Sequence, residues 1–150
     1  MLVVGQVFVA SDHAGVELRL LLSSYLRDIG CKVADCGCDA NDSSVDYSDY
    51  VSGVIDCVSE SSFGVLICGT GIGMSIAANR SRRIRAALCH DSLFARLARE
   101  HNDANVLCFG SRHIEPDVAK SVLYTFLTTK FLGGRHAARV KKLGEMGDCG

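Results

Sequence analysis

Residues 68–73, CGTGIG, combine a thiol with three glycines directly after the apolar stretch FGVLI. Loops of this kind place backbone N–H groups around an anion, and the small residues that follow predict a helix whose N-terminus also favours negative charge. These groups would stabilise a thiolate at Cys68 and a nearby oxyanion. A thiolate beside such a cradle suits removal of a proton from a carbon next to a carbonyl, which produces an enediolate. The structural alternative is that Cys68 is core packing and that the glycines only make a turn.

Spacing separates this loop from other glycine-rich loops. A dinucleotide fingerprint, G-x-G-x-x-G, would need its last glycine at Met74 or Ile76, depending on the register, and a Walker A loop would need a lysine. A cysteine phosphatase would combine Cys68 and Ser75 with an arginine at the position of Met74. Without that guanidinium, a transferring phosphoryl group loses its main source of charge stabilisation, so the phosphatase is the weaker alternative.

An alternation of apolar segments and helical patterns must position this loop. Apolar segments predict five strands, at 3–10, 31–36, 63–68, 84–89 and 105–110. Helical spacing of apolar residues predicts helices at 16–29, 49–60, 73–80, 91–101 and 116–131, and a basic helical tail over about 133–146. This alternation predicts an α/β fold with a parallel sheet covered on both faces. Ligands of such sheets bind at the carboxyl ends of the strands, which would gather SDHAG, CGTGIG, CHD and FGSRH on one rim.

Length and composition limit the class of protein. The chain has 150 residues, 48% apolar and 22% charged, which predicts a single globular domain over residues 1–150. A net charge of −1 provides no basic surface for nucleic acid or an anionic membrane. The apolar start lacks the basic region of a signal peptide, and no apolar run approaches the ~20 residues of a membrane helix. We therefore expect a soluble, cytoplasmic protein.

The eight cysteines form no CxxC pair and no zinc-finger spacing, so we expect them to be reduced. Cys57, Cys89 and Cys108 lie in apolar segments, where cysteine acts as a small core residue. Cys36 and Cys38 flank a glycine in a loop, and a metal pair there is a minor alternative.

Six motifs, in this order along nearly the whole chain, resemble the ribose-5-phosphate isomerase B family. They are SDHAG, VDYSDY, CGTGIGMSIAAN, IRAALCHD, REHNDANVLCFGSR and GGRH. The wider group also contains the galactose-6-phosphate and allose-6-phosphate isomerases. The resemblance implies a Rossmann-like three-layer sandwich that works as a homodimer or a dimer of dimers, with active sites between subunits and no metal or other cofactor. Two departures are Ser48, where the family has proline after DY, and NRSRR, where it has NK-x-P-G.

The resemblance also implies catalytic roles. Cys68 would move a proton between C1 and C2, as in the subclass that uses cysteine, whereas other relatives have a glutamate at the position of Met74. His101 would open the furanose ring, because a neutral imidazole can accept the hydroxyl proton near neutral pH. Hydrogen bonds to the enediolate oxygens would come from Thr70 and from the amides of Gly69, Gly71 and Gly73.

The remaining positions that match the family would bind substrate. Asp12 would hold sugar hydroxyls, His13 would lie near the phosphate, and Tyr47 would contact the sugar. Asn102 would act from the facing subunit. The phosphate would be held by Arg112, donated across the dimer, and by Arg135 and Arg139. Structural alternatives are helix capping for Asp12 and His13 and a surface position for His101, and the other arginines at 80, 82, 83 and 85 are expected on a solvated surface.

Together these observations predict an aldose–ketose isomerase of the non-oxidative pentose phosphate pathway. It would interconvert D-ribose 5-phosphate and D-ribulose 5-phosphate through a cis-enediolate. The same chemistry on allose or galactose 6-phosphate is the nearest alternative. The galactose enzyme divides its site residues between two unlike subunits, whereas this chain carries them all, which favours ribose 5-phosphate. A cysteine phosphatase and a non-catalytic sugar-phosphate-binding domain are alternatives from other classes.

Overall fold

The computed structural model describes residues 5–39 and 43–147 of the chain. Within these ranges there are five strands and six α-helices. In chain order they are β1 (Gln6–Ser11), α1 (Val16–Asp28), β2 (Lys32–Asp35), α2 (Ser52–Ile55), β3 (Ser62–Cys68), α3 (Ile72–Ala78), β4 (Ala86–Leu88), α4 (Ser92–Asn102), β5 (Val106–Gly110), α5 (Pro116–Thr128) and α6 (Arg135–Glu145). Short 3-10 turns, His13–Gly15 and Tyr47–Tyr50, precede α1 and α2.

The strands form one parallel sheet in the order β2-β1-β3-β5-β4. Helices α1, α4 and α5 pack their apolar residues on one face, against alternate residues of the central strands such as Val9 and Phe109. Helices α2 and α3 cover the other face, where Met74 packs with Leu66 and Cys108. This arrangement confirms the predicted α/β three-layer sandwich with a five-stranded parallel sheet and a C-terminal helix.

The helix predicted over 49–60 is wrong in its extent. A 3-10 turn leads into α2, which covers only Ser52–Ile55. The guanidinium of Arg83 donates to the carbonyl oxygens of Ile55 and Val58, at 3.1 and 3.2 Å. These carbonyls would otherwise accept from the next turn of the helix, so the arginine helps to end it.

The cysteines divide differently from the sequence-based expectation. Cys89 and Cys108 are buried as predicted, and burial raises the pKa of Cys89 to about 12, with a smaller effect from Asp91. Burial also raises the pKa of Cys108. Cys57 is exposed, so its prediction as a core residue is wrong. Cys57 and Asp56 lie on the outward side of the turn that follows α2, whereas Val54 and Val58, one turn apart, pack into the core.

Candidate active site

The candidate site lies where two neighbouring strands, β1 and β3, lead to connections on opposite sides. From β1 the chain passes to β2 on one side, and from β3 it passes towards β5 and β4 on the other. The amide of Asp12, just beyond β1, donates to the carbonyl of Ile67 in β3 at 3.2 Å. Such a switch point leaves a crevice at the carboxyl ends of the strands, where α/β proteins bind their ligands.

Cys68 ends β3 with its side chain under the glycine loop. The residue is 4% exposed, and the amide of Gly71 donates to its Sγ at 3.2 Å. Gly71 has φ of +77°, and a Cβ at this position would lie 2.5 Å from Leu88 and 2.8 Å from the backbone of Phe109. A glycine is therefore required to turn this N–H towards the sulfur. The amide would stabilise a thiolate, as the loop sequence predicts.

Thr70 and Gly73 also have defined neighbours in the loop region. Thr70 Oγ1 accepts a hydrogen bond from the amide of Ile72 at 3.3 Å, which leaves the hydroxyl proton of Thr70 to donate elsewhere. The ring of Tyr47 packs so closely over Gly73 that a Cβ on this glycine would lie 2.5 Å from the ring. Tyr47 is 43% exposed, so its ring covers the loop while remaining open to solvent.

Asp12 and His13 lie at the same edge and also have structural roles. One carboxylate oxygen of Asp12 caps the following turn by accepting from the amides of Ala14 and Gly15, at 3.0 and 3.2 Å. Nδ1 of His13 accepts from the amide of Val45 at 3.1 Å, so the neutral ring carries its proton on Nε2. The capping alternative is therefore correct for Asp12, and its second carboxylate oxygen lies outside the cap.

Arg112 belongs to this group as well. Its amide donates to the carbonyl of Gly69 at 3.1 Å, and its guanidinium would lie 2.7 Å from a Cβ on that glycine. The guanidinium therefore lies against the loop of its own chain, where the sequence-based expectation assigned it to a neighbouring subunit. We call Asp12, His13, Tyr47, Arg112 and the loop 68–73 the Cys68 cluster.

A second cluster, which we call the His101 cluster, consists of His101, Asn102, Arg135 and Arg139. The rings of His101 and His136 stack with centroids 4.4 Å apart and an interplanar angle of 13°. Burial lowers the pKa of His136, and His101, Arg135 and Arg139 lower it further. The stack joins the end of α4 to the first turn of α6, from which Arg135 and Arg139 project one helical turn apart.

Within one chain, the Cys68 cluster and the His101 cluster lie at opposite ends of the strands. Helix α4 leaves the carboxyl end of β4 and returns to the amino end of β5, so its last residues, His101 and Asn102, lie at the amino edge. In the register of β3 and β5, Gly64 pairs with Val106 and Cys68 with Gly110. Four residues at about 3.3 Å each separate these levels by about 13 Å. Since α4 ends four residues before Val106, His101 lies near the amino end of this span and Cys68 lies at its carboxyl end.

Two of the arginines before β4 make more contacts than predicted. Arg83 is bonded to two carbonyls, and Arg85 donates to the carbonyl of Asp103 at 2.8 Å and pairs with its carboxylate at 3.4 Å. Both line a cavity of about 640 Å³ at the amino edge, together with Arg99. The expected solvated surface is confirmed for Arg80, Arg82 and Arg83, which are exposed, whereas Arg85 is partly buried.

Two residues that contribute to the site escaped the sequence analysis. His136 was visible only as the last letter of GGRH, and its stacking on His101 depends on how α6 packs on α4. Arg19, 4% exposed, donates to Asp35, to Ser11 Oγ and to the carbonyl of Cys38, at 3.2, 2.7 and 2.7 Å. It holds the end of β1, next to Asp12, and no sequence signal distinguishes it from a surface arginine.

Across residues 5–39 and 43–147, no cluster of three or more His, Cys, Asp or Glu side chains could hold a metal ion. In the same part of the chain, no helix is long and apolar enough to cross a membrane.

Known proteins resemble this chain over almost its full length. The profile of the Ribose/Galactose Isomerase family matches residues 7–143. The solved structure of ribose 5-phosphate isomerase B from Anaplasma phagocytophilum superposes with a TM-score of 0.93 at 71% identity, covering 95% of this chain and 99% of that one. Ribose-5-phosphate isomerase B from Mycoplasma genitalium, solved with bound ribulose-5-phosphate, has a TM-score of 0.91 at 38% identity, covering 94% and 95%. Ribose-5-phosphate isomerase B of Escherichia coli K12 is 41% identical over 88% of this chain and 89% of its own length.

The sandwich and its glycine loop thus define an α/β isomerase. The chain belongs to the Ribose/Galactose Isomerase family. Its predicted resemblance to ribose-5-phosphate isomerase B is confirmed.

Proposed function

We propose that this protein interconverts D-ribose 5-phosphate and D-ribulose 5-phosphate, with Cys68 as the base that moves the proton between C2 and C1. The observation that carries the proposal is the buried Cys68 thiol with the Gly71 amide donating to its sulfur, at the carboxyl end of β3. This N–H stabilises the thiolate that must form before a carbon-bound proton can be removed.

The glycine loop also provides for the intermediate. The Gly71 amide already donates to the Cys68 sulfur. The donors for the enediolate oxygens are therefore the amides of Gly69 and Gly73 and the Thr70 hydroxyl. Fixed donors of this kind stabilise developing negative charge without reorganising during the reaction. Tyr47, over Gly73, and the free carboxylate oxygen of Asp12 flank the space that the sugar would occupy.

Ring opening requires the His101 cluster of a second subunit. A two-fold axis perpendicular to the strands would bring the amino edge of one chain beside the carboxyl edge of its partner. Each site would then combine Cys68 of one chain with His101 and Asn102 of the other. The homodimer, or a dimer of dimers, is therefore part of the proposal, with each 1–150 chain acting as one domain.

Exposed apolar side chains support a contact along the β4 edge of the sheet. Ile72 and Ile76 on α3 are 53% and 62% exposed, and Leu93 and Phe94 at the start of α4 are 52% and 60% exposed. These helices lie on either side of the edge strand β4. Apolar side chains that remain so exposed beside a site are typical of a protein–protein contact.

Charge explains how the phosphate would be held. Arg112 and the Nε2–H of His13 come from the chain that supplies Cys68, and Arg135 and Arg139 come from the chain that supplies His101. One guanidinium group can donate two parallel hydrogen bonds to two oxygens of a phosphate. A phosphate between the two edges would thus join both subunits.

Relatives support the five-carbon substrate. The protein from Mycoplasma genitalium was solved with ribulose-5-phosphate, and the Escherichia coli relative is a ribose-5-phosphate isomerase B. A role in the non-oxidative pentose phosphate pathway and a cytoplasmic location belong to the same proposal. Allose 6-phosphate is the competing substrate, because the chemistry is identical and the sugar differs by one carbon.

The test is ketose formation from ribose 5-phosphate by the purified wild type, with allose 6-phosphate assayed in parallel. Cys68→Ala should reduce kcat on the order of 10²–10⁴-fold, since a general base contributes about that much. Cys57→Ala is the matched control, because Cys57 is exposed and distant from the loop, and it should retain wild-type activity.

Full activity in Cys68→Ala would refute the mechanism, and preference for allose 6-phosphate would refute the substrate. Release of inorganic phosphate would instead indicate the phosphatase alternative. If ribose 5-phosphate binds without exchange of its C2 proton with solvent, the protein is a binding domain.

A further inference from the structure

We propose that Cys36 and Cys57 form a reversible disulfide when the protein meets a peroxide. This inference goes beyond isomerase activity and does not depend on it. It concerns the surplus cysteines, for which the catalytic mechanism has no use.

The packing of α2 on the end of β2 brings the two residues together. The amide of Cys36 donates to the carbonyl of Val9 at 2.7 Å, which continues the pairing of β2 with β1 and fixes the backbone of Cys36. A Cβ on Gly53 of α2 would lie 3.5 Å from the Cβ of Cys36, in ordinary contact. The face of α2 that carries Gly53 therefore packs directly on Cys36.

Cys57 lies one helical turn beyond Gly53. The amides of Asp56 and Cys57 donate to the carbonyls of Ser52 and Val54, at 3.1 and 3.0 Å, so the helical turn continues past the end of α2. Residues four apart on a helix share a face, with Cβ atoms about 5–6 Å apart. This spacing directs Cys57 towards the same side as Gly53, where Cys36 lies.

The electrostatics of Cys36 agree with this geometry. Burial raises the pKa of its thiol, and the charges of Cys57 and Asp35 raise it further, in agreement with the packing of α2 on Cys36. Cys57 is exposed and Cys36 is partly exposed, so an oxidant can reach the pair. Cys38 is 2% exposed and faces Arg19, at 4.0 Å from its guanidinium, which separates it from the pair.

The reaction balances in two steps. The exposed Cys57 thiol attacks hydrogen peroxide, the O–O bond breaks, and Cys57 sulfenic acid and one water form. The Cys36 sulfur then attacks the sulfenic sulfur, an S–S bond forms, and the hydroxyl leaves as a second water. Two thiols are oxidised and one peroxide is reduced. A dithiol reductant reverses the product.

The pair lies at the β2 edge, opposite the β4 edge proposed for the dimer. The disulfide would therefore be accessible in the assembled enzyme. It would also close a loop over residues 36–57, which includes Tyr47 above the glycine loop.

Peptide mapping of the full-length protein tests the proposal. After treatment with a small molar excess of hydrogen peroxide and blocking of free thiols, cleavage before aspartate and after glutamate isolates residues 35–38 and 56–60. The expected product is a cross-linked pair of these peptides, two hydrogens lighter than their sum, that disappears after reduction. Fragmentation must place the bond on Cys36, and Cys38→Ser must retain it.

Cys36→Ser is the matched variant and should abolish the cross-link, leaving Cys57 as a sulfenic or sulfinic acid. The proposal is overturned if wild-type Cys57 accumulates these acids without cross-linking, or if the bond forms to Cys38. It is also overturned if neither thiol reacts at peroxide concentrations that oxidise a free cysteine peptide. Because the readout is mass, loss of isomerase activity would not imitate any of these outcomes.

Discussion

Mixing two inactive variants should restore activity if each active site combines two subunits. In a heterodimer of Cys68→Ala and His101→Ala chains, one site has lost both residues and the other contains both wild-type residues. Random reassociation makes half of the dimers heterodimers with one intact site of two, so the mixture should reach about a quarter of the wild-type activity. Each variant alone should retain a residual activity on the order of 10⁻³ of wild type.

The assay is ketose formation from ribose 5-phosphate after the two variants are co-refolded from urea, with native mass spectrometry to quantify heterodimers. The basis for the expectation is that α4 ends at the amino edge of the sheet, whereas Cys68 lies at the carboxyl end of β3, about 13 Å beyond the level at which β3 pairs with the start of β5. Activity that stays at the level of the separate variants, although heterodimers have formed, would refute the composite site.

A second mixture, of Cys68→Ala with Arg112→Ala, is the matched control. The Arg112 guanidinium lies against Gly69 of its own chain, so Cys68 and Arg112 serve the same site. Every site in this heterodimer lacks one of the two residues, and activity should not recover. Recovery here would mean that Arg112 crosses the interface, as the sequence analysis expected.

Three further predictions concern stability, each measured by urea unfolding at a fixed protein concentration. Arg19→Met should reduce the free energy of unfolding by about 2–3 kcal/mol, because the buried guanidinium holds three partners, whereas Arg96→Met, at an exposed ion pair, should cost less than about 0.5 kcal/mol. Gly71→Ala should cost more than twice as much as Gly133→Ala, where φ is also positive but no atom lies within 4 Å and only backbone strain of about 1 kcal/mol applies. The pKa of His136 is lower in the folded chain, so the unfolded chain binds more protons and stability should fall as the pH drops below about 6.5. His136→Asn should remove this part of the decline, and an identical pH dependence in both proteins would contradict it.

The fold was predictable because its signals are local. Apolar segments of strand length alternate with helical spacing, and this pattern indicates parallel strands joined by helices. The failure at 49–60 has a physical cause that the pattern does not contain. Arg83, more than twenty residues away in the chain, takes the carbonyls of Ile55 and Val58 and helps to end α2 early.

Part of the site was equally predictable. The glycine loop indicated an anion cradle next to Cys68, and the structure has the Gly71 amide directed at the sulfur. The position of Asp12 at the same edge follows from the rule that ligands bind at the carboxyl ends of the strands, which gathered SDHAG and CGTGIG on one rim. The buried Arg19 could not be predicted, because an arginine in a helix is usually solvated.

The sequence by itself determined the fold class, the family and the residue types of the chemistry, because each depends on local periodicity or on short motifs. Only the tertiary structure decided how those residues are divided. It put Arg112 against the loop that follows Cys68, and it put His101 against His136 at the opposite edge. The physical reason is that α4 runs antiparallel to the strands, so residues at its two ends lie at opposite edges of the sheet. No motif records that separation.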